Sequence, residues 1–423
     1  MMPDIEAELS RNAVSVNALK VVKRLTSQGY EAYLVGGCVR DLLLKRSPKD
    51  FDVATSAHPE EVRELFRNSR SIGRRFKIVH VRFGREIVEV ATFRAPHEES
   101  SADTNVSDAG MILSDNFYGD FDEDVHRRDF TMNALYYDAD AQTIEDLVDG
   151  LGDIERKQIR LIGEPDNRYR EDPVRMLRAV RFKAKLGFEI DERTAKPLTE
   201  IGFLLQDIPA ARLFEEVLKM FMSGHGEASF ATLQEYDLFG WLFPATNQAI
   251  RLQATNHDRA EKLIQLALAS TDKRIANDQP VTPAFVYAAL LWYPFLLEQQ
   301  KLVDEGATNV FAFHEAASNV VAKQQLFTSI PRRFSGPMRE IWQLQPRLPM
   351  KYGKKPELLM GHKRFRAAYD FLLLRETSGE QLDGLGDWWT KFQENAPEQR
   401  LEMTRNEPKP KRKRRRKRRP RRL

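Results

Sequence analysis

Cysteine is almost absent from this chain of 423 residues, in which Cys38 is the only one. A single cysteine cannot form a disulfide within the chain, and it argues against a cysteine-based zinc site. A disulfide-rich secreted scaffold is therefore excluded. A reducing compartment is expected, and we predict a cytoplasmic protein.

Long apolar runs are missing as well. No stretch of about 18 apolar residues occurs, so the sequence predicts no transmembrane helix. The start of the chain, from Met1 to Glu6, shows no basic segment followed by an apolar one, which argues against a secretory signal. Hydrophobic residues make up 42% of the chain and charged residues 30%, as in a globular protein of two or three domains.

Acidic residues are absent from the C-terminal segment 408–423, which contains 12 Lys or Arg. The net charge of the whole chain is only +4, so the remaining residues are net negative by 8. Such a segment repels itself and cannot bury a core, and we expect a disordered tail. Its expected partners are polyanions, namely RNA, DNA or an anionic membrane surface, with nucleic acid favoured, and a merely solubilising tail is the alternative.

The first third of the chain predicts alternating short helices and strands. Gly84-Arg85 separates two strands and indicates a hairpin. The predicted helices are 14–28, 39–44 and 59–66, and the predicted strands are 31–35, 50–53, 77–83 and 86–93. Residues 95–125 are polar and are expected to form a long mobile loop. After Asp153 the pattern is almost wholly helical, at 172–187, 191–205, 210–222, 226–237 and in several segments between 257 and 376.

Asp50 and Asp52 form the sharpest local feature. Alternate residues of a strand point to the same face, so the two carboxylates would lie side by side. Two adjacent carboxylates are costly unless a cation lies between them, and Mg²⁺ accepts oxygen ligands while keeping positions for phosphates. A turn with capping aspartates is the plainer explanation of this motif on its own. Glu89, in an apolar strand, is the natural third acid, unless it faces water at a sheet edge.

Two further groups of residues suit nucleotide binding. Gly36-Gly37, between a strand and a helix, would let phosphates approach the backbone, and Arg40 would add a charge. Asp129 is predicted to be a helix N-cap, with Arg128 and Asn133 beside it. These three residues could contact a ribose and phosphates. An ordinary strand–turn–helix connection and an ordinary helix start remain the alternatives.

A third group begins one helix. Asp172 is predicted to be its N-cap and Pro173 its first residue, and Glu171, Arg175 and Arg178 are predicted to share a face. An exposed, salt-bridged helix is one interpretation. The other is a polar platform that reads the edge of a base through paired hydrogen bonds.

Together these motifs resemble the class II branch of the polymerase-β-like nucleotidyltransferases, which contains bacterial poly(A) polymerases and CCA-adding enzymes. The motifs occur in the family's order, within residues 33–190: YLVGGCVRDLLL, KDFDVAT, IVEVATFR, RRDFTMNAL and EDPVRMLRAVRF. Residues 72–81, IGRRFKIVHV, resemble the stretch that marks the poly(A) polymerases, although Ser71 departs from its apolar preference. Helical segments further on and the basic end also resemble that form, so the resemblance covers nearly the whole chain.

The resemblance implies an α/β nucleotidyltransferase head with a small mixed sheet, followed by all-α parts. The implied domains are a catalytic head (1–150), a neck that recognises the base (151–205), an RNA-binding body (206–400) and a disordered basic tail (401–423). It implies that Asp50 and Asp52 bind the catalytic metals, that Asp129 belongs to the active site and that Glu89 is the third carboxylate. The remaining implied nucleotide-binding residues are Gly36, Gly37, Arg40, Arg128, Asn133, Asp172, Arg175 and Arg178.

The expected reaction is the template-independent addition of AMP from ATP to RNA 3′ ends, with Mg²⁺, or Mn²⁺ in its place. The expected partners are ATP, RNA 3′ ends such as those of mRNA, and RNA-degradation or RNA-chaperone proteins, around a monomeric enzyme. Peripheral contact of the tail with a membrane stays open. The alternatives are a CCA-adding tRNA nucleotidyltransferase, which shares the head motifs, and a non-catalytic RNA-binding adaptor.

Overall fold

The computed structural model describes residues 14–73, 77–95, 117–253, 258–405 and 407. The chain folds as two compact units, of which the first comprises 1–216 with 228–241 and the second 217–227 with 242–423. Most of the loop expected at 95–125, and the basic segment from residue 408 onward, lie outside the described residues. No described helix combines the length and the apolarity needed to cross a membrane.

The first unit is built on a seven-stranded sheet. Its strands are β1 (Ala32–Val35), β2 (Phe51–Thr55), β3 (Ser69–Ile72), β4 (Ile78–Phe83), β5 (Glu86–Thr92), β6 (Tyr136–Asp138) and β7 (Thr143–Glu145). The strand order is β3-β4-β5-β2-β1-β6-β7; β2 and β5 run parallel and the other neighbours antiparallel. The small mixed sheet expected from the sequence is confirmed. The predicted β4–β5 hairpin is present, and Gly84 has a φ of +65° in its turn.

Four helices accompany this sheet: α1 (Val16–Thr26), α2 (Gly37–Leu43), α3 (Pro59–Leu65) and α4 (Phe121–Arg127). Helix α4 corrects the prediction that the loop reaches residue 125. Its sequence is too polar to show apolar periodicity, but the helix begins with a capping box. The Asp120 carboxylate accepts from the backbone N–H of Glu123 at 2.9 Å, and the Glu123 carboxylate accepts from that of Asp120 at 2.9 Å.

The chain then becomes mostly helical, as predicted. The next elements are α5 (Gly150–Arg156), β8 (Gln158–Ile159), α6 (Pro165–Glu171), α7 (Val174–Leu186), β9 (Glu189–Ile190), α8 (Glu192–Glu200), α9 (Ala210–Phe221), α10 (Gly226–Glu235), α11 (Phe239–Leu242) and α12 (Pro244–Gln253). Strands β8 and β9, too short to be recognised in the sequence, form a parallel pair. Helix α7 begins one residue after the predicted Pro173, and the Asp172 carboxylate accepts from the N–H of Val174 at 3.2 Å.

The second unit continues with nine more helices in its described part. They are α13 (Arg259–Ala276), α14 (Pro283–Leu290), α15 (Trp292–Asp304), α16 (Asn309–Gln324), α17 (Arg332–Leu344), α18 (Lys355–Met360), α19 (Phe365–Thr377), α20 (Leu385–Glu394) and α21 (Pro397–Arg405). Two fully buried tryptophans hold this unit together. The indole N–H of Trp342 donates to the carbonyl of Ala288, and that of Trp389 to the carbonyl of Leu348, both at 3.1 Å. Helix α21 extends to Arg405, so residues 401–405, which were expected to belong to the disordered tail, are helical.

Candidate active site

A row of side chains crosses four strands of the sheet. Glu89 on β5 lies beside Asp52 on β2, Asp52 lies opposite Val35 on β1, and Val35 lies opposite Tyr136 on β6. Cross-strand neighbours in register share a face of the sheet. The register therefore brings the predicted carboxylates to the end of β1, where the Gly36 turn begins.

Asp50, Asp52 and Glu89 form what we call the carboxylate edge. Burial raises the pKa of Asp52 to about 6, with further increases from Glu89 and Asp50 that Arg128 partly offsets. Asp50 immediately precedes β2 and is exposed, while Val53 is fully buried on the opposite face. The carboxylate edge therefore carries negative charge that the protein itself does not fully compensate.

Glu89, the predicted third acid, lies on strand β5. Its side chain is 43% exposed, and its carboxylate lies 3.1 Å from the Nε2 atom of His80, its cross-strand neighbour on β4. Strand β5 lies between β4 and β2, so Glu89 is on an inner strand and not at a sheet edge, yet its side chain is partly exposed. Its position beside Asp52 agrees with the prediction.

The donor set of the carboxylate edge suits a hard divalent cation. Within the described ranges, no three His, Cys, Asp or Glu side chains converge as a metal-binding group. Mg²⁺, however, is commonly held by one or two carboxylates together with waters and substrate phosphates. Asp50 and Asp52 supply such oxygen donors, and a cation beside them would offset the burial and the repulsion from neighbouring acids that together raise the pKa of Asp52.

The glycine turn lies beside this row. Gly36 has a φ of +78°, which only glycine adopts without strain, and its N–H donates to the carbonyl of Leu135 at 3.2 Å. A Cβ atom at Gly36 would lie 3.7 Å from the Nη1 atom of Arg128 and 3.6 Å from the carbonyl oxygen of Asn133. Gly37 follows as the first residue of α2. The Gly36 turn therefore lies beside segment 128–133, so the two predicted nucleotide-binding motifs are neighbours in the fold.

Arg40, which was predicted to add a charge beside bound phosphates, is buried. It is 3% exposed, and its guanidinium donates to the carboxylate of Asp41 at 2.6 and 2.9 Å and to the side-chain carbonyl of Asn133 at 2.5 Å. The guanidinium also lies 5.1 Å from the ring centroid of Phe182. Arg40 therefore orients Asn133 from within the protein, and a direct contact with phosphates is not supported.

Arg128 is held by two residues that sequence reasoning missed. Its Nε atom donates to the Tyr136 hydroxyl at 2.6 Å, and its Nη2 atom donates to the Asp124 carboxylate at 3.0 Å. The Tyr136 hydroxyl donates in turn to Asp124 at 2.7 Å. Burial alone would raise the pKa of Asp124, but Arg128 and Arg127 outweigh it and lower the pKa to about 2. Asp124 is 1% exposed, and its place four residues before Arg128 was the available signal.

Asp129 is not a helix N-cap, because Thr131–Asn133 forms a single 3₁₀ turn that starts after Phe130. Its carboxylate accepts from the N–H of Phe130 at 2.9 Å, from the Asn133 amide at 3.2 Å and from the Arg178 guanidinium at 2.5 Å. Burial would raise the pKa of Asp129, but Arg178 outweighs it and lowers the pKa to about 2. We refer to Arg40, Arg128 and Arg178 with their acceptors Asp124, Asp129 and Asn133 as the arginine cluster.

The predicted helix face of Glu171, Arg175 and Arg178 is only partly correct. Glu171 ends α6, because the chain turns before α7, yet its carboxylate still accepts from Arg175 at 2.8 Å. Arg178 pairs with Asp129 instead. The Asp172 carboxylate accepts from Arg212 at 2.6 Å, a partner that lies 40 residues away in the sequence.

Arg168 is another residue that the sequence analysis did not single out. It donates to the carbonyl oxygens of Arg127 and Arg128 at 2.5 and 2.8 Å and to Glu171 at 2.5 Å. Burial, followed by the neighbouring charge of Arg175, lowers the pKa of Arg168 to about 10. Arg168 thereby fixes the backbone from which Arg128 projects.

Three segments of the chain match family models. Residues 32–160 match "Poly A polymerase head domain", residues 187–250 match "Probable RNA and SrmB- binding site of polymerase A", and residues 305–423 match "Polymerase A arginine-rich C-terminus". The first segment contains the carboxylate edge, and the last contains the basic segment at the end of the chain.

Curated relatives include poly(A) polymerases and CCA-adding enzymes, the two branches that share the head motifs, and they differ in how much of this chain they match. Poly(A) polymerase I of Salmonella typhimurium is 48% identical over 95% of this chain and 88% of its own length, and that of Haemophilus influenzae is 44% identical over 94% and 88%. A CCA-adding enzyme of Lactobacillus helveticus is 42% identical, but over 51% of this chain and 52% of its own.

Among solved structures, the Bacillus stearothermophilus CCA-adding enzyme in complex with CTP has a TM-score of 0.58 at 28% identity. The match covers 88% of this chain and 80% of that one. The shared fold is that of the nucleotidyltransferase head and helical parts. The identity over nearly the full length and the three matched segments lead to one conclusion: the chain belongs to the poly(A) polymerase I family of nucleotidyltransferases.

Proposed function

We propose that this enzyme adds AMP from ATP to the 3′ end of RNA without a template and releases pyrophosphate. The carboxylate edge carries the proposal, because its excess negative charge lies beside the Gly36 turn and Arg128. A bound cation and a triphosphate would supply the charges that this arrangement needs. Relatives that match nearly the whole chain are named poly(A) polymerase I, and that name favours ATP and RNA as the substrates.

Asp50 and Asp52 are the residues that would hold the divalent metal, Mg²⁺ or Mn²⁺. When bound, such ions lower the pKa of an attacking hydroxyl and neutralise charge on a leaving pyrophosphate. Glu89, beside Asp52 and paired with His80, adds negative charge to the same edge. Because its carboxylate is already paired with His80, we assign Glu89 a supporting part in retaining the cation.

Arg128 is the cation best placed for the triphosphate. It lies near Gly36 and close enough to Asp52 to lower its pKa. Asp124 and Tyr136 fix the guanidinium from one side, so its orientation does not depend on a ligand. A guanidinium held in advance loses little conformational entropy when phosphate binds, and this favours rapid transfer.

The rest of the arginine cluster positions the nucleotide. Asp129 is engaged on both carboxylate oxygens, so we assign it the anchoring of Arg178 and Asn133 rather than a chemical step. Arg175 is the residue we assign to adenine recognition, oriented by Glu171 at 2.8 Å and by the carbonyl of Arg168 at 2.6 Å. Asp172, already bound to Arg212, shapes that region.

The division of labour along the chain follows the same proposal. Residues 1–150 perform the transfer, 151–205 recognise the base, 206–400 bind RNA, and the basic segment at the end adds contacts to the RNA backbone. We place the reaction in the cytoplasm, where ATP and transcripts occur together, and expect a monomeric enzyme. Proteins of RNA degradation and RNA chaperones remain the partners we expect.

One assay tests the proposal. The full-length protein is incubated with Mg²⁺, a generic single-stranded RNA and each nucleoside triphosphate separately. A long ladder with ATP alone is the expected result. Addition limited to C and then A, and confined to tRNA ends, would assign the CCA reaction instead. No incorporation with intact RNA binding would indicate an adaptor.

A further inference from the structure

Asp52 divides the row of side chains on the sheet into two halves. On one side lie β1 and β6, where Arg128 is assigned to the triphosphate. On the other side the row continues from Glu89 on β5 to His80 on β4 and then to Arg70 on β3, the strand at the end of the sheet. The proposed function assigns no substrate to this second half.

The geometry of nucleotidyl transfer calls for a substrate on that side. In an in-line displacement the attacking and the leaving oxygens lie on opposite sides of the phosphorus. Because pyrophosphate would leave on the side of β1 and Arg128, the attacking hydroxyl has to approach the carboxylate edge across β5. The end of the RNA that carries this hydroxyl is then expected to lie over β5, β4 and β3.

These three strands differ sharply between their two faces. Val79 and Val81 of β4 are buried on the face against which helix α3 packs. The alternate residues His80 and Arg82 point to the other face, where Arg82 is exposed and lies opposite Ile87, itself 36% exposed. We call this second face the outer face, and its members are Arg70, His80, Arg82, Ile87 and Glu89.

The strands that carry the outer face are also the cationic part of the sheet. Residues 70–85, which include β3 and β4, contain six Lys or Arg and no acid, although residues 1–407 together have a net charge of −8 (+4 minus the 12 cations of 408–423). Neither Arg70 nor Arg82 forms an ion pair with another residue of the described part. Helix α3, on the opposite face, contains three glutamates instead. A polyanion is therefore attracted to the outer face.

The two arginines lie at a distance that suits the RNA backbone and not the reacting atoms. Neighbouring strands are about 4.8 Å apart, so Arg70, three strands from Asp52, is displaced from it by about 14 Å along the sheet. Guanidinium groups bind phosphate through paired N–H donors. His80 lies 3.1 Å from the Glu89 carboxylate and separates these cations from the acids. The exposed side chain of Ile87 offers an apolar surface to a ribose.

We propose that the outer face binds the last nucleotides of the RNA, with Arg70 and Arg82 on backbone phosphates, and directs the 3′-hydroxyl toward Asp52. This inference rests on the proposed function, and it concerns the catalytic head and not the helical part of the chain. Contacts to phosphates position a nucleic acid without reading its sequence. Such a subsite accepts RNA 3′ ends irrespective of their terminal bases.

Arg70→Gln with Arg82→Gln provides the sharpest test, because both side chains are exposed and their substitution spares the core. Lys20→Gln with Arg63→Gln is the matched control, since it removes the same charge from exposed positions on helices α1 and α3 of the same unit. AMP incorporation by the full-length proteins is measured with varied triadenylate at saturating ATP, and then with varied ATP.

The expected effect is confined to the RNA substrate. One phosphate contact of a single strand corresponds to about a fivefold change in affinity at 0.1 M salt, so two contacts correspond to about 25-fold. We expect the variant of Arg70 and Arg82 to raise KM for triadenylate by about that factor and to leave KM for ATP unchanged. The control variant should behave as wild type in both titrations.

RNA length locates the contacts. The rise in KM should be the same for triadenylate and for an oligoadenylate of twenty nucleotides, because the contacts lie within the last nucleotides. A rise seen only with the longer RNA would place the two arginines upstream of the 3′ end and overturn the inference. Equal rises in KM for RNA and for ATP would place them on the triphosphate, with the same consequence, and so would an unchanged KM for RNA.

Binding without turnover separates this inference from the proposed function. Fluorescence anisotropy follows a short oligoadenylate labelled at its 5′ end as the salt concentration is raised. The slope of log affinity against log salt should fall by about 1.4 in the variant of Arg70 and Arg82, and it should not change in the control. Equal slopes would overturn the inference even for an active enzyme. A wild type that binds this RNA but incorporates no AMP would contradict the proposed function alone, and the comparison of slopes would still decide the inference.

Discussion

The carboxylate edge and the arginine cluster are both dense in charge, but they balance it differently. In the arginine cluster each cation has an acceptor in the fold, and the pKa values of Asp124 and Asp129 are lowered to about 2. At the carboxylate edge the pKa of Asp52 is raised to about 6, because burial and neighbouring acids disfavour its charge. The charges of the arginine cluster are balanced within the protein, whereas the carboxylate edge needs a ligand that brings positive charge. Chemistry is expected where the fold leaves charge uncompensated.

The largest effect should follow from Asp52→Asn. Removing one metal-holding carboxylate should lower kcat for AMP incorporation on the order of 10³-fold or more. Thermal unfolding without metal should be unchanged or occur at a higher temperature, because a strained charge is lost. Activity within tenfold of wild type would remove the carboxylate edge from the mechanism.

Asp124→Asn tests the other of the two sites, the arginine cluster. Arg128 loses its charged acceptor and its fixed orientation, so KM for ATP should rise by about 100-fold while kcat falls less. Steady-state kinetics with varied ATP measures the two constants. Asp122→Asn, an exposed position on the same helix α4, is the matched control and should behave as wild type. A fall in kcat with an unchanged KM would contradict the assignment of Arg128 to the triphosphate.

The same substitution should change the response to acid. Arg128 and Arg127 outweigh burial and lower the pKa of Asp124 from its ordinary value of 3.8 to about 2, so its charge stabilises the fold above pH 3.8 and that stability is lost as pH falls toward 2. The shift corresponds to about 2 kcal/mol in the free energy of unfolding. Urea titrations should therefore show a deficit for Asp124→Asn at pH 7 that shrinks below pH 4. A deficit independent of pH would mean that packing, not charge, is lost.

Arg178→Lys should have a moderate effect. Both the Nε and Nη2 atoms of Arg178 lie 2.5 Å from Asp129, and an ammonium cannot reproduce that fork. We expect about a tenfold loss in kcat/KM for ATP with the fold retained. Circular dichroism controls for folding, and kcat/KM equal to wild type would show that the pair does not position the nucleotide.

Tyr136→Phe should have the smallest effect. It removes one hydroxyl that accepts from Arg128 and donates to Asp124, while the buried ring and the Asp124–Arg128 pair remain. The expected cost is about 1 kcal/mol, or a few-fold in KM for ATP. A loss as large as that of Asp124→Asn would mean that the hydroxyl, rather than the carboxylate, holds Arg128.

The comparison also explains which features could be predicted from the sequence. Asp50 and Asp52 are two residues apart, so strand geometry alone relates them, and the hairpin at Gly84 is equally local. The arginine cluster depends on distant pairs, such as Arg40 with Asn133, 93 residues apart, and Arg178 with Asp129, 49 residues apart. Local patterns could not show that Arg40 turns inward, nor that Asp124 completes the cluster. The parallel pairing of β2 with β5, which brings Glu89 to Asp52, is likewise non-local.

Mn²⁺ binding offers the most direct test of the central claim, that Asp50 and Asp52 hold a divalent cation beside the triphosphate. Electron paramagnetic resonance can follow Mn²⁺ bound to the full-length protein with a non-hydrolysable ATP analogue. The account predicts tight binding by wild type that Asp50→Asn and Asp52→Asn each weaken strongly, while Asp124→Asn weakens binding of the analogue but leaves Mn²⁺ binding at saturating analogue unchanged. Undiminished Mn²⁺ binding by Asp52→Asn would contradict it.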